Sequence, residues 1–272
     1  MKRNDPQAKL DALIDDPDSV ASFLLERSGL PGPRANLELA EAFSDRATAL
    51  AADPAWFERI FRWASVSALE APTNHPKEFL PFVAVQALGA AHASCREKDR
   101  SSIEAVLRRA AHDPRWRMRE ACAFGLQRIG MASFVDLRAL LQGWLEEPTL
   151  LGLRAVLAGL AHPPLLADAE VTAFAFDCAE VALETWLASS EGQTDAAKAL
   201  RKALEFAPSV FVAADPVRGF PMLERWADRG RIEVAKIVAA NLRKARLARH
   251  FPDEVQEVGM RCMVGRDGWD EG

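Results

Sequence analysis

Three prolines, Pro76, Pro114 and Pro148, each precede an apolar run that carries a leucine twelve residues on: Leu88, Leu126 and Leu160. The prolines stand 38 and 34 residues apart, the spacing of helical-hairpin repeats. A unit of that length cannot bury its apolar face alone and becomes stable by stacking on its neighbours. This restricts the chain to architectures that grow layer by layer. It also makes 272 residues an ordinary length for one continuous stack.

The clearest copy runs from His112 to Gly130. Asp113-Pro114 closes one helix and opens the next, because proline fits a first turn whose N–H has no partner to lose. Met118, Ala121, Cys122, Gly125, Leu126 and Ile129 then recur at the three- and four-residue spacing of one helical face, and Gly130 ends the run. A fourth copy follows Asp228-Arg229-Gly230, with glycine in place of proline and an apolar face of Val234, Ile237, Val238, Leu242 and Ala245. Between these second helices the pattern predicts first helices over Ser101–Ala111, Ser133–Glu146, Ala167–Ser189 and Pro216–Asp228. Upstream, helices are expected over Asp5–Asp15, Asp18–Arg27, Ala35–Ala51 and Trp56–Glu70. Gly29-Leu30-Pro31-Gly32-Pro33 must be a loop, and no segment alternates as a strand would. Residues 1–258 are expected to form one domain and Gly259–Gly272 a loose tail.

The segment after Asp113 resembles the second helix of a HEAT repeat, in which an Asp-Pro turn is followed six residues after the Asp by an Arg. Asp113 and Arg119 have that spacing. The resemblance implies an all-α, HEAT-like α-solenoid (an armadillo-type fold) of about six helical hairpins in a right-handed superhelix. It further implies that Asp113 and Arg119 bond to neighbouring repeats in a ladder. The arginine is missing after Pro76 and Pro148, so the ladder is incomplete there. Asn241, in the apolar face of the last copy, must be hydrogen-bonded, most simply to a loop of the adjacent hairpin.

Searches for chemistry come back nearly empty. The histidines at 75, 92, 112, 162 and 250 stand singly, with no paired metal spacing. No nucleophile elbow or phosphate-cradling glycine loop occurs. Glu180 and Glu184 with Asp177 form an acidic stripe that lacks the histidine of a di-metal site, so it reads as a solvated face. No catalytic, cofactor or metal site is expected. The four cysteines are widely spaced and fit free thiols in a reducing, cytoplasmic setting. Neither a signal peptide nor a membrane span is legible, so no membrane partner is expected.

A formal charge of -5 gives no whole-molecule attraction to polyanions. Its distribution says more. Residues 96–138 hold ten Lys/Arg against six acids and 198–250 twelve against five, while 139–197 hold one against nine. Lys236, Arg243, Lys244 and Arg246 fall opposite the apolar face of the last helix. Second helices of HEAT repeats line the concave surface, so these four could face a groove or form an ordinary solvated side. Trp116 and Glu120 sit one turn apart, off the main apolar stripe. That pair resembles, in architecture, the aromatic and acid of the HEAT-like DNA alkylation repair proteins, although Glu stands where that family has Asp. Trp116 could equally pack between layers.

The sequence therefore supports a monomeric, non-catalytic scaffold whose concave face binds another protein. DNA binding or repair of alkylated bases is the alternative. A HEAT-repeat lyase or adaptor for a chromophore-bearing protein finds no motif.

Overall fold

The structure, a computed structural model, describes residues 6–189 and 194–267. Among them every regular element is helical, and no strand occurs. The chain is all-α. Its helices group into two compact units, Met1–Leu140 and Leu141–Gly272.

The first unit contains α1 (Pro6–Leu13), α2 (Pro17–Glu26), α3 (Leu37–Leu50), α4 (Pro54–Ala64), α5 (Phe79–Ala91), α6 (Glu97–Ala111) and α7 (Trp116–Ala132). The start of α8 (Phe134–Glu146) also belongs to it. Every second helix stacks on the one before it, α1 on α3, α3 on α5 and α5 on α7, with α4 and α6 against α5 and α7. Helix α5 lies at the centre, and its composition explains why. The run F-L-P-F-V-A-V-Q-A-L-G-A-A is buried at eleven positions around its circumference, as a helix covered on several sides must be. It crosses α7 at Gly89 and Gly125. A Cβ on Gly89 would fall 2.4 Å from the Gly125 carbonyl oxygen, so this approach requires glycine. Leu88 and Leu126, the repeated leucines, are both fully buried.

The second unit holds α9 (Leu150–Leu160), α10 (Ala169–Ala188), α11 (Asp195–Leu204), α12 (Ala207–Ala214), α13 (Pro216–Ala227), α14 (Ile232–Leu242), α15 (Ala245–Ala248) and α16 (Pro252–Asp267). Helix α9 packs on α10 and α11, and α13 on α12, α14 and α16. The stretch 195–214, which the pattern assigned to no helix, forms α11 and α12, parted at Glu205-Phe206 just before Pro208.

Four expectations change in detail. The repeat prolines lie in the turn before each helix rather than in its first turn: α7 begins at Trp116, α5 follows a 3-10 turn over Pro76–Glu78, and Thr149 caps α9 through Oγ1 to Gly152 N–H. Helix α4 stops at Ala64, six residues before Glu70, because carbonyls beyond it are held by a side chain from α7's approach. The last copy is not one helix. It breaks at Arg243-Lys244, with Lys244 extended. Leu242 and Leu247 are five residues apart, about 140° on an unbroken helix, and the break lets both be buried. Finally, α16 continues through Asp267, past the Gly259 at which a tail was expected. Val258 is buried, and Arg261 pairs with Asp228 and Glu224 of α13's end, which holds this helix down. Residues 268–272 lie outside the described ones.

Candidate functional site

Three arginines open α7 in the run R-W-R-M-R, residues 115–119. Cations are unfavourable in a helix's first turn, where the dipole is positive, so each needs a strong local partner. Arg115 is 3% exposed, and its guanidinium binds both oxygens of Asp113 at 2.9 and 2.7 Å. It also donates to the carbonyls of Val66, Ser67 and Ala71 at 3.0, 3.3 and 3.1 Å. This one side chain fastens the whole loop after α4 to the start of α7.

Arg117 reaches another loop. It is 3% exposed and donates through Nη1 to Oε2 of the fully buried Glu78 at 3.2 Å. Its Nη2 donates to the Gly32 carbonyl at 2.6 Å and to Asn74 Oδ1 at 3.3 Å. Asn74, at φ 71°, accepts from Gly32 N–H and donates its own N–H to Glu78 Oε2 at 2.7 Å. The loops at 29–36 and 72–78 are thus knotted to α7 around one buried ion pair. Glu78 Oε1 and Arg117 Nε are buried with no hydrogen-bond partner among the described residues.

Trp116 lies between these two arginines. It is 43% exposed, and the Arg117 guanidinium carbon sits 4.4 Å from its ring centroid, within cation–π range. Part of its ring is thus open to solvent. Leu69, 96% exposed, sits in the loop that Arg115 grips. Glu120, one turn after Trp116, is half-buried. An exposed aromatic surface beside a buried polar knot is the result.

The Asp113–Arg119 ladder takes a different form. The Asp113 carboxylate is occupied by Arg115, and Arg119 Nη1 donates to the carbonyls of Asp113 and Pro114 in its own turn. The bridge to a neighbouring loop runs through Arg115 because that side chain leaves the turn before the helix begins. Asn241 is fully buried: Oδ1 accepts from Ser209 N–H at 2.8 Å, and Nδ2 donates to the carbonyls of Leu204 and Ile237 at 2.7 and 2.9 Å. One amide therefore closes the end of α11 and the start of α12. The acidic stripe on α10 is not merely solvated. Glu180 accepts from Trp226 Nε1 and from Arg225, and Glu184 from Arg229, so α13 and the turn after it supply its counter-charges. The Arg229 hydrogen bond holds the Glu184 carboxyl below its ordinary range.

Of the basic four, Lys236 is exposed on α14, Arg243 ends that helix, Lys244 caps α15, and Arg246 lies on α15 with Nη1 donating to Ser209 Oγ at 3.1 Å. The break separates them onto two short segments. Among the histidines, the buried His92 pairs through Nε2 with Glu104 at 3.1 Å.

Arg115 and Glu78 were not singled out by sequence, Asn74 entered only as part of the turn before Pro76, and Arg117 was expected to point away from the ladder and to matter little, whereas it is buried against Glu78, Gly32 and Asn74. The available signal was three cations crowded into a helix start, where each demands a carboxylate or carbonyl. Among the described residues no group of three or more His, Cys, Asp or Glu could hold a metal ion, and no helix is long and apolar enough to cross a membrane. No protein-family model matches the chain, and no curated protein is significantly similar to it.

Proposed function

We propose that this protein is a HEAT-like α-solenoid, a right-handed superhelix of about six hairpins, that serves as a non-catalytic docking scaffold for another protein. The repeat spacing supports the architecture, as does the stacking of every second helix in the first unit. The observation that carries the function is Trp116. An exposed tryptophan is costly to leave in water, and here the guanidinium of the buried Arg117 lies against its ring. Tryptophan and arginine dominate binding hot spots, and a pre-ordered side chain loses little entropy on docking.

The test is affinity capture from the source cell with nuclease-treated lysate, using the native chain and Trp116→Ala. The expected result is a protein retained by the native chain and weakened about 30-fold or more by the substitution, as for a hot spot of ~2 kcal/mol, with thermal stability nearly unchanged. Capture that is indifferent to Trp116, or that disappears with nuclease alone, would count against a protein partner at this site.

A further inference from the structure

We infer that the corner formed by the end of α14 and by α15 is a docking surface for the phosphate backbone of a nucleic acid, bound without sequence preference. The segment Arg243–His250, R-K-A-R-L-A-R-H, carries four cations and a histidine with no acid. None of Arg243, Lys244, Arg246 and Arg249 is ion-paired among the described residues. Elsewhere in this unit Arg201 pairs with Glu205, Arg225 with Glu180, Arg229 with Glu184, and Arg261 with Asp228 and Glu224, while Arg218 and Arg231 stand singly with no ion pair among the described residues. The corner differs in gathering four such cations between residues 243 and 249. Asp253 and Glu254 follow closely, but they sit in the first turn of α16, where the helix dipole favours them, and pair with none of the four.

The dipole at the C-terminus of α14 accounts for Arg243, which caps that helix. It does not account for Arg246 and Arg249, which lie beyond the break. The corner is also rigid. Asn241 ties α14 to the α11–α12 junction, Leu247 is fully buried, and Arg246 leans on Ser209 Oγ. Cations without ion-pair partners on tied backbone form a surface prepared for an external anion.

The chemistry of that anion follows from what surrounds the charges. Guanidinium forks suit phosphate oxygens. The side chains exposed between the cations are Ala245 and Ala248, and Leu247 is turned inward. A protein partner would want an aromatic or aliphatic anchor at the centre of the contact, which this segment lacks. A phosphodiester chain needs only the charges. The net charge of -5 supplies no long-range steering, so binding is local and weak, about 10⁻⁶ M or weaker at physiological salt.

Fluorescence anisotropy with a short labelled mixed-sequence duplex tests this in the full chain. Three to four phosphate contacts predict an affinity loss of roughly 40- to 150-fold between about 50 and 200 mM salt. Arg243→Ala/Lys244→Ala/Arg249→Ala, which keeps the Arg246–Ser209 anchor, should nearly abolish that salt dependence while the circular dichroism melt stays unchanged. The charge-matched control Lys9→Ala/Arg34→Ala/Lys98→Ala removes three exposed cations that form no ion pair among the described residues, and should bind like the native chain. Equal weakening by both triple variants would reduce the effect to net charge and overturn the assignment. So would absence of binding at the lower salt, or capture by phosphatidylserine vesicles without binding to the duplex.

Discussion

Arg117 Nη1 donates to Glu78 Oε2 at 3.2 Å across 39 residues of chain, and neither side chain is open to solvent. A buried pair is weak evidence of net stabilisation, since desolvation offsets the attraction. Removing one partner is another matter, because the survivor is left charged in an apolar setting.

Arg117→Ala should therefore destabilise the protein by about 3–5 kcal/mol. Arg119→Ala, which releases carbonyls near the surface of its own turn, should cost about 1 kcal/mol, the usual worth of such bonds. Arg117→Met/Glu78→Leu should recover much of the first loss, since no charge is then stranded. Urea midpoints decide the order. A larger cost for Arg119 than for Arg117 would mean that the knot at α7 is not what holds the two loops.

The glycine crossing yields a sharper contrast. Gly89→Ala places a methyl against the Gly125 backbone, which cannot turn aside, whereas a Cβ on Gly125 meets the end of the Leu107 side chain at 2.7 Å and the Val85 carbonyl at 3.2 Å. Both overpack, at a cost of about 1–3 kcal/mol or more, with Gly89 the worse because the obstruction is backbone. Gly143→Ala has open space on α8 and should be neutral or slightly stabilising, as alanine is the better helix former. Thermal melts of the three single variants would reveal this order, and a neutral Gly89→Ala would refute the close approach of α5 and α7.

Those contrasts also mark what could be read from the sequence. Helix positions followed from apolar period and turn residues, because burial of a face is a local pattern: α6, α8, α10 and α13 lie close to their expected bounds. The break at Lys244 and the early end of α4 were not legible, since each is set by partners distant in the chain, Ser209 for the first and Arg115 for the second. Trp116 was visible as a candidate. Its support was not, because Arg117 finds Glu78, Asn74 and Gly32 only after the loops have folded over it. The amide of Asn241 announced that it needed partners, though only the fold could say which.

Asn241 is the position where chemistry and shape can be separated. Its Nδ2 donates to the Leu204 carbonyl and its Oδ1 accepts from Ser209 N–H, so it serves as both donor and acceptor. Asn241→Asp keeps the acceptor and the shape but loses the donor and brings a carboxylate against two carbonyls. Asn241→Leu keeps volume and strands both backbone groups. Each should cost about 2–4 kcal/mol, above the ~1 kcal/mol of an ordinary hydrogen bond, because the groups left behind are buried. The aspartate variant should regain stability as pH falls and its carboxyl protonates, and the leucine variant should not. Equal pH profiles for the two would show that Asn241 acts by packing alone.

The acid limb of the native protein has a definite sign. Glu184 is held below its ordinary range by the Arg229 hydrogen bond, Asp11 by the Arg46 hydrogen bond, and Asp16 and Glu70 by hydrogen bonds from Ser19 and Ser67. A carboxylate whose folded pKa is depressed binds fewer protons in the native state than in the unfolded one. Its stabilisation is fully present above the unfolded value of about 4 and is lost as pH falls through the lower, folded value. Urea midpoints should therefore be level from about pH 6 to 8 and drop below about pH 4. Glu184→Gln removes one such group and frees Arg229 in the turn after α13. The gap between this variant and the native chain should be widest near neutrality and close as the native carboxylate is protonated. A gap that stayed constant down to about pH 3 would show that the loss comes from packing between α10 and α13, and that the Arg229 bond contributes nothing through charge.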